Sequence, residues 1–295
     1  MKQFYLISFI LLIVSGCVAG EYNAPANMRV MPDTAHRSYQ FTTSTDVARI
    51  GETSQRFEIR HGDCGNWDCN NDRRRIELNQ YNADDNVQSG DKVWYGYSIY
   101  LPTDFQDITP SNTHVGQAKI IGGSPLWMFA LREDRLIFEN NVGETDTTNQ
   151  CPTISQTAMR GRWTDIVVFA DYDKTPSGNP MVAVWVNGRQ VCTDNRPMLS
   201  SAIIRDARRD AITMRYGIYN SFVSRWLNDN RTQQVITNGF VDNNSDGGSS
   251  RSRSVTGTPF KIDWGVELLT QVVYYDEVRI GRTREDVDVR LRYPN

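Results

Sequence analysis

The feature that most limits the fold of this chain is a hydrophobic period of two. Along 212–219, Ile212, Met214, Tyr216 and Ile218 fall on one face, while Thr213, Arg215, Gly217 and Tyr219 fall on the other. Phe57 and Ile59 alternate in the same way with Arg56, Glu58 and Arg60, and Ile76 and Leu78 with Arg75, Glu77 and Asn79. Gln117 and Lys119 alternate with Ala118 and Ile120. That period belongs to strands with one apolar and one polar side. Further β-prone runs lie at Val93–Leu101, closed by Pro102, and at Trp163–Ala170, Met181–Val186 and Gln271–Ile280. Leu126–Leu131 and Leu136–Glu139 read as a hairpin across Arg132–Arg135, and Asn187-Gly188 is a hairpin turn signal. Only 203–210 reads as a turn of helix, and no internal repeat is visible. Many short strands with few helical periods predict an all-β chain, a jelly-roll sandwich of two antiparallel sheets with one concave face forming a groove. Residues 51–295 then form one domain, and 20–50 a polar tether leading into a first edge strand.

The N-terminus reads as a targeting segment. Lys2 precedes an apolar run from Phe4 to Val14, followed by Val14-Ser15-Gly16-Cys17. Two readings of residues 1–19 stand. Cleavage before Cys17 with lipidation of that cysteine accounts for a Cys directly after Ser-Gly, whereas ordinary cleavage after Ala19 would discard it. Lipid chains would hold the protein at a membrane without spanning it. Either reading places the fold outside the cytoplasm, as a periplasmic or surface lipoprotein or a secreted protein. Four cysteines remain, an even number as expected for an exported chain. Of three pairings, Cys64 with Cys69 and Cys151 with Cys192 are expected; the Cys-x4-Cys spacing without a nearby second pair is weak for zinc.

Formal charge is −3, from 32 Lys and Arg against 35 Asp and Glu. Such a chain has no global basic field, so a nucleic-acid partner is not expected and an acidic ligand must be met by a local cluster. Three polar strand faces supply candidates: Arg75 with Glu77, Gln117 with Lys119, and Arg215 with Tyr219. If they share one sheet they would line a groove suited to a chain of uronate sugars, with cations for the carboxylates and aromatic rings for the sugars. A salt-bridged, solvated sheet face is the alternative.

The motifs R-x-E-L at Arg75–Leu78, Q-x-K at Gln117–Lys119 and R-x-G-I-Y-N at Arg215–Asn220 resemble those of the jelly-roll polysaccharide lyases. That group includes heparin lyase I, glucuronan lyases and many alginate lyases, and the resemblance runs over roughly residues 55 to 281. It implies β-elimination at a uronate, with no cofactor required. Arg75 and Gln117 would neutralise the substrate carboxylate, and Tyr219 would give the leaving oxygen its proton. Lys119 stands where alginate lyases carry the histidine of Q-x-H, which leaves the base open between His61, Lys119 and Tyr219. Arg215, Asn220, Glu77 and Arg60 are the expected substrate-binding residues. Among the other histidines, His36 lies in the tether and His114 is expected in a loop before the Gln117 strand. Asp242 to Gly247 copies the first half of a calcium loop, but Arg253 stands where the bidentate Glu belongs, so a structural calcium is weakly supported. Arg251 and Arg253 could form a lid. The competing readings are a lectin-like carbohydrate binder and, last, a glycoside hydrolase, whose E-x-D-x-x-E strand signature is absent. A monomer acting on a glucuronan- or alginate-like polymer is the expectation, since a net negative chain suits dense sulfation poorly.

Overall fold

A computed structural model describes residues 28–31, 36–65, 68, 71–80, 87–121, 123–141, 148–173, 181–199, 211–230 and 266–294. The readings placed on Cys17, Cys69, 203–210, the 242–247 half-loop, Arg251 and Arg253 lie outside the described residues.

Two antiparallel sheets carry the alternating segments. The strands are β1 (Met28–Met31), β2 (Phe41–Ser44), β3 (Ser54–Ile59), β4 (Arg73–Gln80), β5 (Val87–Gln88), β6 (Lys92–Tyr100), β7 (Asn112–Ile120) and β8 (Pro125–Arg132). They continue as β9 (Arg135–Asn141), β10 (Thr148–Ser155), β11 (Trp163–Asp171), β12 (Val182–Val186), β13 (Arg189–Asp194), β14 (Ala211–Ser221) and β15 (Gln271–Gly281). One sheet has the order β1-β4-β14-β7-β8-β9-β10, with β5 on β14; the other runs β13-β12-β11-β6-β15-β3-β2. This is the expected jelly-roll sandwich. The segment before residue 51 supplies two edge strands rather than one, β1 and β2, in opposite sheets.

The inner faces bury the residues that the alternation marks as apolar. Phe57 packs edge-on against Tyr275 (5.3 Å between centroids) and Tyr216 (5.9 Å), joining β3, β15 and β14 across the sandwich. Ile76, Leu78, Ala118, Met214 and Ile218 belong to the same core. Each alternating strand must therefore turn its polar side away from the other sheet. Turn chemistry agrees as well. Asn187 and Gly188 both have positive φ (51° and 80°) between β12 and β13, and Glu133 and Asp134 (53° and 57°) close the β8–β9 hairpin.

Because β3 and β4 belong to different sheets, their charged sides look in opposite directions. Arg56, Glu58 and Arg60 lie on the outer side of the seven-stranded sheet, where both arginines pair with Glu58. The C-terminal helices α3 (Arg284–Val287) and α4 (Val289–Arg292), preceded in the chain by α1 (Gln156–Met159) and α2 (Val223–Asp229), bury Val287 and Val289. Arg290 reaches from α4 to Asp165 of β11 (2.7 Å).

A disulfide joins Cys151 of β10 to Cys192 of β13, with 6.3 Å between Cα atoms. These strands end the two sheets on the same side, so the bond closes that edge of the sandwich. It spans 41 residues, and restricting a loop of that length in the unfolded chain is worth about 2–4 kcal/mol. The Cys151→Ala/Cys192→Ala double variant should lose that much in a denaturant titration; an unchanged midpoint would refute a stabilising role. Cys64 is also disulfide-bonded.

Candidate active site

The three polar faces singled out in the sequence come together on the outer side of the eight-stranded sheet, where β14 lies between β4 and β7. Tyr219 is register partner of Arg75 on β4 and of His114 on β7, and Arg215 is partner of Gln117. On one side of the Tyr219 ring the Arg75 Cζ lies 4.4 Å from its centroid. On the other the His114 imidazole is stacked, 5.1 Å between centroids and 28° between planes.

Two breaks in register produce this arrangement. β7 shifts against β8 between His114 and Gly116, and β14 shifts against β7 between Arg215 and Tyr219. Such bulges reverse which side of a strand a residue faces. His114 therefore shares the outer side with Gln117, three residues away. Each break carries a glycine with a reason. A Cβ on Gly116 would lie 3.0 Å from Tyr97 Cζ, and Gly217, at φ 134°, would bring one within 2.8 Å of Glu77 Cα. Across the core, the Tyr275 hydroxyl sits between the carbonyl oxygens of Val115 (2.7 Å) and Gly217 (2.8 Å), pinning both irregular strands.

Hydrogen bonding separates the cations into two kinds. Arg75 is committed to the protein: its Nε and NH2 donate to the two oxygens of Asp68 (both 2.7 Å) and its NH1 to Glu77 (3.3 Å). Gln117 Nε2 donates to the other Glu77 oxygen at 2.7 Å. Arg73, Lys119 and Arg215, by contrast, pair with no described carboxylate, and Arg215 Nε is buried without a hydrogen-bond partner.

The electrostatics follow from this. Burial, together with the charges of Arg215 and Arg75, brings the Lys119 ammonium down to about 8. Burial also lowers Arg215. It raises the Tyr219 phenol, against the opposing pull of Arg73 and Arg75. His114, buried and facing Arg132, Arg73 and Arg75, falls to about 3 and stays neutral. For Arg75 burial acts downward, but the Asp68 hydrogen bonds and the Glu77 and Asp68 charges hold the guanidinium above its usual value.

Of the residues expected here, Tyr219, Arg75, Glu77, Gln117, Lys119 and Arg215 share this face. Three do not. Asn220 is a correction: it is wholly buried on the core side, where its Oδ1 accepts from Arg74 Nε (2.6 Å) and its Nδ2 donates to Thr113 and Gln271 (both 2.9 Å). Adjacent to Tyr219 on a strand, it must face the other way. Arg60 is a second correction, lying on the outer side of the opposite sheet, half-exposed against Glu58 with its Cζ 3.8 Å from the Tyr39 centroid. His61 follows β3, and its Nδ1 accepts from the Leu268 amide at 3.0 Å; that bond fixes the ring to the segment entering β15. His114, expected in a loop, belongs instead to β7 and shares this face. Gly116 is the one sequence signal for it, as an interior strand glycine marks bulges.

Among the described residues no group of three His, Cys, Asp or Glu could hold a metal ion, and no helix is long and apolar enough to cross a membrane.

Residues 23–245 match the family model described as polysaccharide lyase. No curated protein matches the chain. Among solved structures, an endo-β-1,4-glucuronan lyase from the fungus Trichoderma reesei superposes with a TM-score of 0.54 at 17% identity, covering 90% of this chain and 93% of that one. The alginate lyase PA1167 from Pseudomonas aeruginosa gives 0.47 at 17% identity, covering 84% and 88%. At such identities the first likeness shows a shared fold.

Proposed function

The chain belongs to the polysaccharide lyase family, and from that premise we propose that it cleaves a uronic-acid-containing polysaccharide by β-elimination, leaving unsaturated uronate ends. The observation that carries this reading is the set of three cations, Arg73, Lys119 and Arg215, without a described carboxylate of their own: Arg73 and Arg215 lie within electrostatic reach of Tyr219, and Lys119 within reach of both arginines. A C5 proton beside a charged carboxylate is barely acidic. Donors that neutralise that carboxylate stabilise the enolate-like transition state, the kind of preorganised electrostatics that dominates such sites. Arg215, with a buried, unsatisfied Nε, and Gln117, with one amide hydrogen still free, are placed for that task, and Arg73 adds charge.

Acid and base follow from environments that push two groups in opposite directions. Lys119, brought down to about 8, is the base that takes the C5 proton. Tyr219, raised by burial, keeps its proton at neutral pH and is the acid. The C5–H electrons form the C4–C5 double bond, the C4–O4 bond breaks, and O4 leaves with the tyrosine proton. Solvent then returns a proton to the phenolate and accepts one from the ammonium. Glucuronan-like and alginate-like chains are the first polymers to test, because a small cation cluster on a chain of net charge −3 suits one carboxylate per sugar. We place the domain outside the cytoplasm, a reading that the Cys151–Cys192 disulfide supports.

The reaction is tested by incubation with a panel of uronate polymers while following the ultraviolet absorbance of the unsaturated end; a binder or hydrolase leaves none. The base assignment has its own signature. Lys119 works only when neutral, so kcat/KM should climb with pH through about 8. Lys119→Arg keeps the charge but cannot release its proton, and should lose about 10²–10⁴-fold in kcat. Wild-type turnover in that variant would make Lys119 a charge and nothing more.

A further inference from the structure

Arg75 is the residue that the family motif would assign to the substrate carboxylate, yet its surroundings fit a different task. Its guanidinium already spends three donors on two carboxylates that are themselves buried, Asp68 at 4% and Glu77 at 1% exposure. A substrate carboxylate arriving there would be a third anion around one cation, next to two that cannot leave. The same guanidinium lies 4.4 Å from the Tyr219 ring centroid, within the range at which a cation is held by an aromatic face.

His114 completes the arrangement from the other flank. It is register partner of Tyr219 on β7 as Arg75 is on β4, and its ring is stacked at 5.1 Å. His114 Nε2 and Ser221 Oγ share a hydrogen bond of 3.2 Å that holds the imidazole in place, while Nδ1 is buried without a partner. A buried ring with neither nitrogen turned to solvent has no proton to trade with a sugar. We propose that Arg75 and His114 are positioning residues that clamp the Tyr219 ring from its two flanks, and that the substrate carboxylate is held elsewhere, by Arg215 with Gln117 and Arg73. This deepens the β-elimination reading and rests on it: a phenol fixed on both sides points its hydroxyl along one line, and the departing oxygen must meet it there. Asp68 then acts at one remove, by holding Arg75 flat.

Four variants separate a clamp on Tyr219 from a clamp on substrate, measured on whichever uronate polymer the wild-type protein turns over fastest, with folding checked by circular dichroism and melting. Asp68→Asn loosens Arg75 without touching the ring. Positioning predicts that kcat falls, about tenfold or more, with KM not improved; a substrate clamp predicts a lower KM at unchanged kcat, because the guanidinium is set free. Arg75→Lys keeps the charge but loses the planar fork, and its loss should fall on kcat. His114→Ala should cost about a hundredfold in kcat, much of it regained in His114→Phe, which restores a ring without a titrating group. A lowered KM in D68N, a loss confined to KM in R75K, or wild-type kcat in H114A would overturn the proposal. Should D68N not fold, R75K and the His114 pair still decide. The two failures are distinct: a wild-type protein that makes no unsaturated ends on any uronate polymer overturns the reaction, whereas an active wild type with KM-only effects overturns only the positioning role.

Discussion

Tyr219→Phe is expected to lower kcat by about 10²–10⁴-fold while oligouronate affinity changes little, since general acid catalysis contributes on that scale. The variant is unusually clean. No described hydrogen bond within the protein uses the Tyr219 hydroxyl, so its removal strands no partner, and the phenylalanine ring keeps its contacts with Arg75 and His114. Loss of turnover cannot then be laid to a disturbed fold, and calorimetric titration with a uronate oligomer should show binding intact because the carboxylate donors are untouched. Turnover at the wild-type rate in Tyr219→Phe would remove the acid from the mechanism and with it the role given to Arg75 and His114.

Why some of this site was legible in the sequence and some was not comes down to strand parity. Along β4, whose pairing with β14 has no break, alternation assigns faces correctly, Arg75 and Glu77 against Ile76 and Leu78; it also holds for Gln117 and Lys119 against Ala118 and Ile120, across the shift of β7 against β8 between Ala118 and Lys119. Parity is a local rule, however, and one extra residue reverses it. Counting back from Gln117 places His114 on the core side or in a loop; the bulge at Gly116 turns it outward beside Tyr219. A bulge depends on how three strands settle against each other and on Tyr97 and Tyr275 reaching across the sandwich, contacts far apart in sequence. Parity also says nothing about which sheet a strand joins. Arg60 and Arg75 look alike along the chain, but β3 and β4 lie in opposite sheets and expose their arginines on opposite sides of the protein. Nor does a motif reveal which of its cations is already neutralised. R-x-E-L marks Arg75, while its bidentate partner Asp68 lies outside the alternating segments, seven residues earlier, with no signal of its own.

The run of three arginines that opens β4 hides the largest expected effect on stability. Arg73 and Arg75 point outward; Arg74 points into the core and is wholly buried. No described carboxylate pairs with it. Nε donates to Asn220 Oδ1 (2.6 Å), NH1 to the Arg60 carbonyl (3.0 Å) and NH2 to the Leu269 carbonyl (2.8 Å). Arg60 leaves β3 and Leu269 leads into β15, so one side chain ties the eight-stranded sheet to two adjacent strands of its partner. Burial brings the guanidinium down to about 9, so it remains charged at neutral pH. Holding that charge in the core costs stability, and Arg74→Met would return some of it. Against this, methionine leaves the buried Asn220 Oδ1 and two part-buried main-chain carbonyls without donors, at about 1–3 kcal/mol for each that water does not reach. Asn220 loses one anchor of the network that reaches Thr113 and, through Gln271, the Gln106 carbonyl. The stranded acceptors outweigh the recovered desolvation because main-chain carbonyls cannot be repacked away, unlike the side chains of a buried ion pair. A net loss of about 3–5 kcal/mol is expected, read as a lower denaturant midpoint at unchanged slope. Arg74→Lys should recover little, since one ammonium on a flexible stem does not span three acceptors in a plane. An Arg74→Met protein as stable as wild type would mean that the buried cation is an expense the fold tolerates, and that the two sheets are held at this end by Asn220 and Gln271 alone.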